Sequence, residues 1–393
     1  MNILTISSLY PNNIDFKHGV FVETRLRHLL NDFPDIQASV IAPVPWFPFS
    51  SSFFGEYAKY AGVLPVEERH GITIYHPRYI VIPKVGMYLT PIFMRWAIAK
   101  IIKQLKNKGI KIDLIDGHYF YPDGVAIASV AEKYRIPFTC TARGTDINLI
   151  PQNPKAKKMI QRVFSQAAHM ITVCQALKDE MLKLGAPEDK VTTLRNGVDL
   201  QLFKASSEIR QQELKVELDI TGKLVMSVGW LIERKGHYLV IDAILRLPDV
   251  TLVIAGDGPD HDKLQMQINK AGLFERVKLL GALPQPELNK WLMAADVNVL
   301  ASSREGWANV LLESMASGTP VVATNVWGTP EVVTKPEAGV LVEREVESIA
   351  KGIQTLLAHP PARADTRQYA EQFDWMATSL GQKNIFSKVA ATL

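Results

Sequence analysis

Apolar and polar positions follow two alternating rhythms along this chain. The run NILTIS (2–7) is short and rich in apolar and β-branched residues, and it passes into the turn-rich SLYPNNIDFKHG. VFVETRLRHLLNDF (20–33) then places its apolar residues at helical spacing. Further short runs, ASVIAPV (38–44), DLIDGH (113–118), PFTCTARG (137–144) and HMITVC (169–174), are separated by helical patterns. Strand, loop and helix in alternation predict a parallel sheet covered by helices on both faces. A polar stretch, KASSEIRQQELKVELDITG, follows Phe203 and reads as a hinge leading into a helix. A second series then begins with KLVMSVGWL and continues through VTLVIAGDG, RVKLLGAL, VNVLAS and TPVVAT. The pattern therefore predicts two Rossmann-like, doubly wound α/β domains facing each other across a cleft, with ligands at the carboxyl ends of the strands.

Length supports this division, since 393 residues exceed one ordinary core. The composition, 47% hydrophobic and 21% charged, is that of a folded globular chain. A formal charge of +4 is too mild to indicate nucleic acid. Its distribution is more informative. Between Arg95 and Lys111 six basic residues and no acidic one interleave with Trp96, Ile98, Ile101, Ile102 and Leu105. This predicts a basic amphipathic helix, either packed on its own domain with solvated lysines or drawn to an anionic membrane surface. The insert PWFPFSSSFFGEYAKYAGVLP, with seven aromatic residues, either tucks back onto its domain or forms a sticky surface. Cys140 and Cys174 fall in apolar runs and read as small core residues rather than a disulfide. The first residues lack the features of a signal peptide, and no apolar run approaches the roughly 18 residues of a spanning helix, so a cytoplasmic location is expected.

Candidate chemistry concentrates in REGWANVLLESMASGTPVVA (304–323), read as a loop after a buried strand and then a helix stopped at Gly318. A helix start attracts anions, so carboxylates there need a different task. Glu305 and Glu313 could each accept hydrogen bonds from a vicinal diol, on either side of a phosphate. The competing reading makes Glu305 a helix cap and Glu313 a solvated residue. Arg234 and Lys235 stand after another strand and loop, where a cation pair can neutralise a diphosphate. Gly256 and Gly258 in IAGDGPD allow close backbone approach to a ligand but lack dinucleotide-binding spacing. The one Asp-x-Asp triplet, Asp260 to Asp262, is placed to begin a helix rather than to hold a metal.

In order and spacing, KHGVFVETR, IDGHYFYPDG, TARGTD, NGVD, RKGH, AGDGP and the E-x7-E element with SGTPVVAT resemble the family-4 glycosyltransferases of GT-B fold. The resemblance spans almost the whole chain. It implies an acceptor-binding domain over 1–198, a nucleotide-sugar-binding domain over 205–374, and a terminal helix, 375–393, that crosses back to the first. It makes Glu313 a ligand of the ribose and Glu305 of the donor sugar. Backbone around Asn309 and Val310 would meet the phosphate, Lys235 would bind the diphosphate, and Gly256 would line the donor site. Many members carry an arginine where this chain has Trp230, a place that Arg234 could fill. Gly19 matches the first-loop glycine near the donor phosphate, and His118 the histidine that touches the donor sugar near the reacting carbon. Arg143 and Asp146 occupy a stretch where many members have a histidine, and they are further candidates, on the acceptor side.

These matches imply a retaining glycosyltransferase that moves a sugar from a UDP- or GDP-linked donor to a saccharide or lipid-linked acceptor. Catalytic weight falls on His118, Lys235 and Glu305, no metal or other cofactor is expected, and domains would close about the linker near Phe203. A peripheral position on the inner face of the cell membrane fits the basic helix. The rival expectations are a sugar-nucleotide epimerase of similar fold and a non-catalytic carbohydrate-binding protein.

Overall fold

The computed structural model describes residues 1–46, 60–82 and 86–391, and the chain divides into two compact units. The first comprises Met1–Arg195 together with the chain from Met376 onward, and the second Asn196–Trp375.

The N-terminal unit holds an eight-stranded sheet in the order β10-β9-β8-β7-β1-β2-β5-β4. Its strands are β1 (Asn2–Ile6), β2 (Gln37–Ile41), β4 (Val66–Arg69), β5 (Ile72–Tyr75), β7 (Leu114–His118), β8 (Phe138–Ala142), β9 (His169–Thr172) and β10 (Val191–Thr193). A short ribbon pairs β3 (Val44–Trp46) with β6 (Arg78–Ile80). Among the described residues only the β4–β5 edge pair is antiparallel within the large sheet. Every residue of β7 and β8 is buried, as expected of strands covered on both faces. The terminal helix Trp375–Ala390 adds Phe386 and Val389 to the core formed by Ile3, Leu29, Ile36, Leu114 and Ile171.

The C-terminal unit contains β11 (Lys223–Val228), β12 (Val250–Ala255), β13 (Val277–Leu279), β14 (Val297–Leu300), β15 (Val321–Thr324) and β16 (Gly339–Val342), all parallel. Their spatial order is β13-β12-β11-β14-β15-β16. This is the dinucleotide-fold order, which reverses between its first and fourth strands, here β11 and β14. In the N-terminal sheet the reversal falls between β1 and β7. Loops leaving two such strands run in opposite directions and open a crevice between them.

The linker departs from expectation. Phe203 is buried, and Arg367 donates to the carbonyls of Phe203 and Leu200 while Arg363 donates to that of Ser206. Residues 196–204 thus belong to the C-terminal unit, and the chain changes unit at Arg195/Asn196 and Trp375/Met376 instead of near Phe203. The basic helix is Thr90–Asn107. Met94, Ala97, Ile98, Ile101, Ile102 and Leu105 form its buried side, whereas Trp96 is exposed. Most of the aromatic insert, from Phe47 through Tyr57, lies outside the described residues. Cys140 and Cys174 are buried free thiols, the latter just past β9 at the start of a helix. Among the described residues no helix is long and apolar enough to cross a membrane.

Candidate active site

In the C-terminal unit the loops after β11 and β14 meet at the crevice between those strands. The β11 loop ends in the 3-10 turn Glu233–Lys235, and Gly236 joins it to helix His237–Ile244. Gly236 has φ +72°, and a Cβ there would lie 2.2 Å from the carbonyl oxygen of Ala301, just past β14. Only glycine permits that approach. It carries Lys235 onto the neighbouring loop, where its Nζ donates to Glu305 Oε1 at 2.6 Å. Arg234 Nη1 lies 3.6 Å from the same oxygen and donates to the Arg304 carbonyl at 2.7 Å. Ser302 Oγ also donates to Glu305 Oε1, at 2.6 Å. Burial works to raise the Glu305 carboxyl, but the Lys235 and Arg234 charges and the two hydrogen bonds outweigh it and hold it below the usual carboxylate range.

Glu305 therefore does not cap the following helix. Asn309–Ala316 begins with no side-chain cap, and of its first N–H groups that of Asn309 donates to the Trp307 carbonyl at 3.1 Å and that of Leu311 to the Ala308 carbonyl at 3.0 Å, while that of Val310 has no acceptor among the described residues. The Asn309 side chain accepts from Asn196, whose carbonyl in turn receives the Trp307 indole N–H. One turn into this helix, Glu313 has no side-chain partner among the described residues, and burial pushes its carboxyl up to about 7. Trp230 is exposed.

Gly256 has a structural task of its own. The space left by its missing side chain is filled by the chain itself, since a Cβ would lie 1.9 Å from the Gly229 carbonyl oxygen. The close approach joins the β11 and β12 loops, so the missing side chain serves that packing. His237, buried behind the cation pair, bonds Ser227 on β11 and is pushed down to about 4, first by burial and then by the Lys235 charge. Asp262 sits at the start of helix His261–Lys270, bonded to His261.

The N-terminal unit gathers its candidates at the β1/β7 crevice. His118 ends β7, two residues after Asp116, which stands in register with Thr5 on β1 and Thr139 on β8. The His118 ring lies with Nε2 3.0 Å from Asp116 Oδ2, while Arg143 Nη2 donates to Nδ1 at 2.7 Å. Both nitrogens are thus committed, with the proton on Nε2, and the residue is 1% exposed. Burial, aided by the Arg143 and Arg25 charges and opposed by Asp116, pushes the ring down to about 4 and keeps it neutral. Both ring nitrogens of His118 are thus held by protein partners. Arg143 also lies over the Phe21 ring, 5.2 Å from its centroid, two residues beyond Gly19 at the head of helix Val20–Asp32. Asp146 is fully buried and accepts from the N–H groups of Phe120, Arg143 and Gly144. It laces the β7 and β8 loops together rather than facing an acceptor.

Three participants escape a reading of motifs. Asp116 and Arg25 supply the buried charges around His118. Asp123 accepts from both the N–H and the hydroxyl of Ser8, which ties the β7 loop to the β1 loop. Burial pushes Asp123 up to about 7. Its signal was present in FYPDG, but a turn aspartate carries no mark of a partner 115 positions away.

Residues 208–373 match the family described as Glycosyl transferases group 1, and residues 56–202 match Glycosyltransferase Family 4. A protein of Bacillus subtilis (strain 168), provisionally named the teichuronic acid biosynthesis glycosyltransferase TuaC, is 30% identical over 90% of this chain and 88% of its own length. The chain is a family-4 glycosyltransferase. This family-4 enzyme is also 27% identical to the D-inositol 3-phosphate glycosyltransferase of Corynebacterium glutamicum (strain R), over 73% of the chain and 74% of that protein. Solved structures establish its GT-B fold. Sucrose-phosphate synthase from Thermosynechococcus elongatus superposes with a TM-score of 0.80 over 100% of both chains at 18% identity. Anabaena HepE in complex with UDP-glucose gives 0.74 over 100% of both at 22% identity. The glycosyltransferase serves polysaccharide or glycoconjugate biosynthesis, as its relatives do.

Proposed function

We propose that this glycosyltransferase takes its sugar from a UDP- or GDP-linked donor, transfers it with retention of configuration to a saccharide or lipid-linked acceptor, and needs no metal. The observation that carries the reading is the convergence of Lys235 and Arg234 on the loop before the uncapped helix Asn309–Ala316, with the unpartnered Glu313 one turn further on. Two cations beside a helix start whose Val310 N–H is open suit a diphosphate, and a carboxyl without a side-chain partner among the described residues suits the paired hydroxyls of a ribose. HepE, of the same fold, is described in complex with UDP-glucose.

In the reaction the anomeric C–O bond to the diphosphate breaks as the acceptor hydroxyl attacks from the same face, and the hydroxyl proton leaves with the departing phosphate. Positive charge develops on the sugar and negative charge on the leaving diphosphate. Lys235, Arg234 and the helix start stabilise the latter, which takes the place a divalent cation would otherwise fill. Glu305 positions the sugar through Oε2, to which no hydrogen bond is made among the described residues. On the N-terminal side His118 acts through Arg143, which it holds in place, and the first-loop Gly19 stands next to Phe21 beneath that guanidinium.

The exposed lysines of helix Thr90–Asn107, together with its solvent-facing Trp96, support a position at the cytoplasmic face of a membrane, where a lipid-linked acceptor would be met. The direct test is a panel of sugar nucleotides screened by thermal shift, followed by incubation of the stabilising donor, radiolabelled, with bacterial lipid extract and EDTA. Label in lipid or glycan is expected. Stabilisation by no sugar nucleotide, or turnover abolished by EDTA and restored by a divalent metal, would refute the donor or the metal-free reading respectively.

A further inference from the structure

Glu305 sits where a ligand of sugar hydroxyls also becomes a rival for the diphosphate. Its Oε1 lies 2.6 Å from the Lys235 ammonium and 3.6 Å from the Arg234 guanidinium, the two cations assigned above to the leaving group. The side chains of Glu305 and Lys235 are only 9% and 15% exposed, so solvent screens their interaction weakly. The carboxylate is ionised there and cancels one of the two positive charges before any ligand arrives. Ser302 Oγ, donating to the same oxygen at 2.6 Å, holds it on the side of the cations.

The consequence differs between substrate and product. An intact sugar nucleotide brings hydroxyls that donate to the other oxygen, Oε2, so it recovers at the sugar what it loses at the phosphates. A free nucleoside diphosphate brings no such hydroxyl. Its terminal phosphate, no longer esterified, ionises again with a pKa of about 6 and faces the carboxylate with added negative charge. The same residue therefore attracts the donor and repels what remains of it.

We infer that Glu305 is a specificity-determining counter-charge, which keeps Lys235 and Arg234 below full strength towards a diphosphate so that the intact donor is retained and the spent nucleoside diphosphate is released. This inference rests on the donor-site reading given above. It opposes the simpler idea that Glu305 only helps bind, because it expects removal of a binding-site carboxylate to tighten one ligand.

Calorimetric titration of UDP and GDP into the wild-type protein and Glu305→Gln tests it, with uridine and guanosine as uncharged controls. The variant is expected to bind the cognate nucleoside diphosphate about tenfold more tightly, with the gain shrinking at high ionic strength, while its affinity for the nucleoside is unchanged. Turnover should fall with kcat rather than with donor KM, and a burst of transfer should precede a slow steady state set by product release. Equal or weaker binding of the diphosphate by a folded Glu305→Gln protein would overturn the inference and leave the donor site standing. Binding of neither diphosphate by either protein would overturn both. If Glu305→Gln does not fold, Glu305→Asp carries the test, because withdrawing the carboxylate from Lys235 by one methylene should tighten diphosphate binding to a smaller degree, and weaker binding would refute the idea.

Discussion

The two units build their crevices at the same place in the same kind of sheet, yet they treat their carboxylates in opposite ways. In the N-terminal unit every carboxylate of the site is used up. Asp116 meets His118, Asp146 accepts three backbone N–H groups, and Asp123 accepts two donors from Ser8. In the C-terminal unit, among the described residues, Glu313 has no side-chain partner and Glu305 leaves one oxygen without a hydrogen bond. A carboxylate oxygen that no protein donor meets is open to a donor from outside the chain, which is where the proposed ligand hydroxyls would bind. On the proposed reading the N-terminal cluster is scaffolding that aims one arginine and ties three loops together, whereas the C-terminal cluster is the receptor for the donor.

Substitutions should separate these two roles. The largest effect is expected at Asp116→Asn, which removes the buried carboxylate that faces both Arg25 and Arg143 and leaves Arg143 only Asp146. Stability measured by urea denaturation should fall by about 3–5 kcal/mol. A loss below about 1 kcal/mol would mean that the N-terminal cluster is not scaffolding. Next comes Lys235→Ala, expected to lower kcat/KM by about 10²–10³-fold, as for removal of one group that stabilises transition-state charge, with an unchanged circular dichroism spectrum. Transfer at the wild-type rate would remove the cation pair from the mechanism.

The smallest effect, and the one that probes the receptor most finely, is a pH dependence at Glu313. Its carboxyl titrates near 7 in the folded protein, above the ordinary value of 4.5. A raised value means that its contribution to stability is complete below pH 4.5 and is lost as the pH climbs through 7. Hydroxyl donors from a ribose favour the ionised form, so ligand binding responds in the opposite sense. The rise in melting temperature produced by the cognate donor should be larger at pH 8 than at pH 6, and Glu313→Gln should remove that difference. An equal shift at both pH values in the wild type would argue that Glu313 meets no ligand.

Much of the fold is legible from local pattern. Short apolar runs and helical rhythms locate β1, β2, β7, β8, β9, β11, β12, β13, β14 and β15 and the helices between them, because buried parallel strands are nearly continuous apolar runs. The short strands β4, β5, β6 and β16 are not anticipated. Edge strands such as VEER and RYI are too brief and too polar to rise above loop composition, and GVLV is only four residues long. The E-x7-E spacing is also local, one loop and one helical turn, and it identifies Glu305 and Glu313 as candidates. What it cannot distinguish is a capping glutamate from one that reaches Lys235, 70 positions earlier. That depends on the strand order, which sets the β11 loop beside the β14 loop.

Sequence by itself therefore determined the two α/β halves, the positions of the loops that carry chemistry, and the residue types available in them, since each is encoded within a dozen or so neighbouring positions. The tertiary structure alone decided which of those residues are spent and which are free. His118 became a buried, neutral support through Asp116 and Arg143, Gly256 a packing contact through Gly229, and Phe203 part of the C-terminal unit through Arg367. The physical reason is the same in each case. Protonation, hydrogen bonding and close approach are set by neighbours in space, and strand order brings those neighbours from distant parts of the chain.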